Sequence, residues 1–114
     1  PHQNQIADYP LKPVPFDDVE ISDGFWRPRL ETERKTLIPF ALKQTEVGLS
    51  DLQAAADFLA GKGTKSTQGE RYRTSDLFKV VEGAAYLLHL KRDSALESQI
   101  DSIIKVIAAI RPTR

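Results

Sequence analysis

Leu96, Ile100, Ile103, Ile104 and Ile107 recur at steps of three and four, and upstream Leu77, Val80, Val81, Ala84, Ala85 and Leu88 repeat the pattern. That spacing puts each set along one side of an α-helix. Only a short polar turn, Lys91 to Asp93, separates the two segments, so they form an antiparallel αα-hairpin whose apolar sides meet. Phe78, Leu87, Leu90, Val106 and Ile110 widen those sides beyond one stripe. A helix that is apolar over more than half its girth needs neighbours on two sides. The three or four helices this chain can form do not supply them all. The pattern therefore predicts part of a larger helical assembly, of the kind in which adjoining helix pairs cover each other's free faces. The competing expectation is a small self-contained bundle with some exposed isoleucine, or a dimer.

The remaining punctuation predicts the other helices. Ser94 and Glu97 have capping-box spacing for the last one. Thr74 or Ser75 is expected to cap the helix before it, which runs to about Leu90 with Asp76 near its N-terminal dipole. Phe25 to Val47 reads as helix with Gly48 as its C-terminal cap; Pro28 falls in its first turn, and Pro39 should kink or split it. Ser50 and Gln53 then open a short helix carrying Leu52, Ala55, Ala56 and Leu59 toward Gly61. The glycine- and hydroxyl-rich run Gly61 to Gly69 is expected to be a flexible loop open to proteolysis. Prolines at 1, 10, 13 and 15 predict an extended leader, and Phe16, Val19 and Ile21 a single short strand with a slip near Asp17 and Asp18. The expected division is thus an extended leader with one short strand over 1–23 and helices over 24–114.

Sixteen basic residues balance sixteen acidic ones without clustering, so no field is offered to nucleic acid or an anionic membrane. No run approaches the roughly 20 apolar residues of a membrane-spanning helix. The absence of cysteine removes disulfides, thiolate nucleophiles and cysteine-based zinc sites. With no methionine at all, the chain does not start at an initiator, which suits a removed signal peptide and a cloning boundary equally.

On the helix from Ser75, the residues Asp76, Lys79, Glu82 and Tyr86 follow three- and four-residue steps and share a polar side. Such a side can hydrogen-bond the hydroxyls of a polar ligand, or be a solvated ion pair between Lys79 and its acidic neighbours. Asp76 and Glu82, nearly two turns apart, are poorly arranged to flank one scissile bond as an acid–base pair. Trp26 with Phe25 offers a stacking surface for a ligand ring; anchoring the junction before the helix in a core is the competing role. Tyr72, Arg71 and Arg73 border the glycine-rich loop, where a charged edge is usually solvated. His2 and His89 stand apart with no second histidine at ligand spacing, so neither a metal nor a catalytic group is assigned.

Four stretches, in order, resemble the start of the bacterial β-L-arabinofuranosidase group, glycoside hydrolase families 127 and 146, once a domain of unknown function. They are Asp8 to Leu42, the alanine-rich Leu52 to Gly63, SDLFKVVEGAAYLL (Ser75 to Leu88) and IDSIIKVIAAIRP (Ile100 to Pro112). The pairing of GFW-x-P-R with a later SD-x-x-K-x-x-EGAAY is the specific part. The resemblance implies a mainly α chain that opens an (α/α)6 barrel after a short β leader, as a fragment of a larger, periplasmic or secreted enzyme. It implies removal of β-L-arabinofuranosyl units from plant glycans by a cysteine nucleophile beside a zinc held by glutamate and cysteines, all outside this chain. RYRTSD and the short spacer GLSDLQ depart from the family pattern, which bears on sugar specificity, and the chain stops at IRPTR where relatives continue into the next helix. By this resemblance the chain holds no cofactor, zinc belongs to the parent protein, and carbohydrate is the parent's partner. The alternative is a non-enzymatic helical module that binds or self-associates through exposed helix faces, a distinction that turns on what covers Ile103, Ile107 and Ile110.

Overall fold

The computed structural model describes residues 11–63 and 71–110. Its helices are α1 (Trp26–Thr32), α2 (Ile38–Gln44), α3 (Glu46–Leu59), α4 (Arg71–Leu90) and α5 (Ser94–Ala109), and a π-helical stretch, Glu33–Leu37, joins α1 to α2. The chain is mainly helical, as the periodicity predicts. The prolines at 1 and 10, most of the glycine-rich loop, and the terminal IRPTR beyond Ile110 lie outside the described residues.

The leader is extended but forms no strand, and no strand occurs among the described residues. A lone strand has no ladder partner to satisfy its amides. Instead Phe16–Asp18 make a 3₁₀ turn at the expected slip, with Asp18 N–H donating to Pro15 O at 3.0 Å and Val19 N–H to Phe16 O at 3.2 Å. Phe16 then sets its ring edge-on against Tyr86 and His89 of α4, at 5.0 and 5.1 Å between centroids. These two ring contacts lay the leader on the C-terminal half of α4.

Several helix ends fall elsewhere than the capping patterns place them, each for a local reason. Asp23 does more than punctuate: its Oδ1 accepts from the amides of Phe25 and Trp26, both at 2.7 Å, and so caps α1. Pro39 neither splits the helix nor ends it. The ring's missing N–H is accommodated because the turn before it widens, with Ile38 N–H donating to Glu33 O five residues back. The break comes six residues later at Thr45, whose buried Oγ1 donates to Ala41 O at 2.9 Å and Leu42 O at 3.1 Å. Gly48 is therefore not a cap but a buried residue in the first turns of α3, and Ser50 with Gln53 lies inside that helix, where Gln53 bonds Asp57. Gly61 does end α3: at φ 72° it closes a Schellman turn, with Lys62 N–H on Asp57 O and Gly61 N–H on Phe58 O. Thr74 and Ser75 lie within α4, which already begins at Arg71, and Ser75 Oγ donates back to Tyr72 O.

At α5 the cap is Asp93, not Ser94: its Oδ1 accepts from the amides of Ala95 and Leu96 at 3.1 Å, while Glu97 pairs with Arg92. Asp93→Ala is therefore expected to cost about 1 kcal/mol in chemical denaturation, and Ser94→Ala much less. Equal losses would restore the capping-box assignment.

The core is built by Ile38 and Leu42 from α2, Leu77, Ala84 and Leu87 from α4, and Leu96, Ile100 and Ile103 from α5, with Leu49 and Leu52 of α3 packed against it. α4 lies at the centre, touching α2, α3 and α5, and α3 also reaches α5. The chain itself covers the isoleucine side of α5: Ile103 is buried, and Ile107 and Ile110 are half-buried. The apolar surplus surfaces at Ile104 on the edge of that side and, on the other helices, at Phe40, Phe58, Leu59 and Phe78, each about half exposed or more.

Candidate functional site

Two polar features stand on this frame. The first is the expected edge of α4. Lys79 Nζ and Asp76 Oδ1 form an exposed ion pair at 3.0 Å, and Tyr86 donates to Glu82 at 3.3 Å while its ring carries Phe16. Asp76 and Glu82 thus engage separate partners, and only Asp76 joins Lys79. An exposed pair one helical turn apart adds a few tenths of a kcal/mol at most. Trp26 is on α1, its ring perpendicular to that of Phe25 at 5.0 Å, while Arg29 lies 3.6 Å over the Phe25 ring and donates to Phe25 O. Both aromatics are more than half exposed, so the core-anchoring role expected of them is not realised within this chain.

The second feature was not anticipated from the sequence. A cleft of about 390 Å³ opens between the leader, α1 and the C-terminal end of α4. Its apolar lining comes from Ile21, Leu30, Leu87 and Leu90, and its polar lining from the carboxylates Asp17, Glu20 and Glu31 and the cations Arg27, Arg34 and Lys91, with His89 at the α4 end. Neither Trp26 nor Asp76, Lys79 and Glu82 line it. Its members are scattered over three elements, so no motif spacing reveals them; the one available signal is the cation-rich run Arg27, Arg29, Arg34, Lys35 around Glu31.

Arg34 organises the helical wall. It donates to Glu31 Oε2, and Lys35 Nζ lies 3.6 Å from the same oxygen. The Arg34 hydrogen bond, followed by the charges of Arg34, Lys91 and Lys35, holds the Glu31 carboxyl below its ordinary value of 4.5. The two amide bonds at α1 likewise hold Asp23 below 3.8, with Trp26 contributing more than Phe25. Both groups are depressed in the folded state, so their stabilisation is full above the unfolded values and is lost as pH falls through the folded ones. Stability is accordingly expected to drop below about pH 4. In Glu31→Gln that acid-side slope should be shallower, as read from urea unfolding midpoints at stepped pH. The Nε atom of Arg34 is buried and finds no hydrogen-bond partner among the described residues. Asp51 Oδ2 is in the same condition, with Arg73 Nη1 at 3.9 Å.

The sequence contains no cysteine, and among the described residues no three of His, Asp and Glu converge as metal ligands. The zinc that the family resemblance implies does not fit this chain, and no reaction step through it follows from these side chains. Among the described residues no helix is long and apolar enough to cross a membrane.

A mainly helical chain with an SD-x-x-K-x-x-EGAAY helix at its centre has the make-up of one section of a larger helical glycosidase domain. Residues 18–112 match the GH127 catalytic domain of β-L-arabinofuranosidases, and the chain belongs to that family. Among solved structures it is similar to the GH127 β-arabinofuranosidase BT3674, with a TM-score of 0.75 and 32% sequence identity. That match covers 91% of this chain and 16% of the BT3674 chain. No curated protein matches. The family and the helical fold expected from the four sequence stretches are thus both found.

Proposed function

We propose that the chain supplies the opening helices of the catalytic domain in a glycoside hydrolase that removes β-L-arabinofuranosyl units from plant glycans, and that it contributes scaffold rather than a catalytic group. The observation that carries this is the family match across residues 18–112. The lack of any cysteine supports the second half, since a thiolate nucleophile would have to come from elsewhere. In this reading zinc, where the whole enzyme uses one, is held outside this chain. The exposed Asp76–Lys79 pair, Glu82 and Trp26 are available to sugar hydroxyls and ring faces, and the enzyme works in the periplasm or outside the cell, where such glycans are met.

The test is release of L-arabinose from a β-L-arabinofuranoside by the 114-residue chain and by a longer protein that carries it. Turnover by the longer protein alone is the expected result. Turnover by the isolated chain would overturn the scaffold assignment, and a longer protein that ignores β-L-arabinofuranosides but cleaves another glycoside would overturn the substrate.

A further inference from the structure

We propose that the cleft between the leader, α1 and the end of α4 is a binding subsite for a neutral sugar unit, held by Glu20 and Arg27 at its walls beside the Arg34–Glu31 pair. The inference rests on the glycosidase reading and adds a place where this chain itself touches glycan. Its volume of about 390 Å³ lies within the range of small-ligand sites, which pair an apolar lining with a few convergent polar groups. Leu30, Leu87, Leu90 and Ile21 give the apolar lining that the C–H face of a sugar ring needs.

Charge decides the class of ligand. Three carboxylates, Asp17, Glu20 and Glu31, and three cations, Arg27, Arg34 and Lys91, line the cleft together. An anion meets three carboxylates there, and a cation meets three cations. A polyhydroxylated neutral ligand satisfies both sets, because each hydroxyl both donates to a carboxylate and accepts from a guanidinium or ammonium. Arg34 lines the cleft and is paired with Glu31. The Glu31 bond already fixes the guanidinium, so little side-chain freedom remains to be lost on binding.

The experiment is methyl NMR of the full chain titrated with methyl β-L-arabinofuranoside, with acetate as the anionic control. Saturable shifts at Ile21, Leu30, Leu87 and Leu90 are expected, with Leu77 and Ile103 unmoved. Arg27→Gln and Glu20→Gln, both at exposed positions, should each weaken binding about fivefold, the loss of one hydrogen bond, without altering the core methyl spectrum. Silence at the cleft methyls in a folded chain overturns the proposal, as do equal shifts with acetate, which would make the cleft an anion site. Arabinoside turnover by the longer protein with a silent cleft removes this inference alone; loss of turnover on every arabinofuranoside removes the reading beneath it.

Discussion

Gly48→Ala is expected to destabilise the chain by about 2 kcal/mol or more, although alanine is the better helix former by about 1 kcal/mol. A Cβ at this position would lie 2.4 Å from the carbonyl oxygen of Arg73 and 2.9 Å from its carbonyl carbon. Both are backbone atoms of α4, so no side chain can rotate out of the way. The α3 and α4 backbones would have to part, opening the packing on which the core depends. Gly83→Ala provides the control: the only atom its Cβ meets is the end of the Ile38 side chain at 3.4 Å, so that variant should be neutral or slightly more stable. Urea midpoints of the two variants at equal slope measure the difference. A neutral Gly48→Ala would mean that α3 and α4 are not in this close contact in solution.

Leu77→Ala should cost about 2–5 kcal/mol. Leu77 is 1% exposed, the largest side chain fully enclosed among the described residues, and it sits in the core cluster to which α2, α4 and α5 contribute. Truncation loses the transfer free energy of the side chain and leaves a void that three helices cannot all close. Ile104→Ala, at a position 48% exposed on α5, should change stability by no more than about 0.5 kcal/mol. If the two variants unfold alike, the core does not lie between these helices.

What the sequence reveals here follows the range over which each signal acts. The spacing of Leu96, Ile100 and Ile103 is local and strong, and those residues are buried. Cap positions are local but degenerate: Asp93 and Ser94 are both good N-caps, and the choice depends on which backbone leaves the helix first. Gly48 is the instructive error. A glycine after Val47 has the signature of a helix stop, and only the approach of Arg73, twenty-five positions away in the sequence, makes it a contact point instead. The family was legible because each of its motifs is contiguous in the sequence, GFW-x-P-R from Gly24 and SD-x-x-K-x-x-EGAAY from Ser75. The cleft was not, because its walls are brought together by the leader lying along α4, where Phe16 packs against Tyr86 and His89, a contact between residues about seventy positions apart.

The widened turn at Glu33–Leu37 sets an angular phase between two halves of one rod. Counted back from buried Ile38 at about 3.6 residues per turn, an uninterrupted helix would point Glu31 and Arg27 toward the core. The extra residue delays the first half by about 100°, which hands the inward position to Leu30 and swings the charged pair out to the cleft wall. A one-residue deletion in this turn would act as a rotation rather than a shortening. It would bury a carboxylate, withdraw Arg27 from the cleft and leave α2 with its core contacts intact.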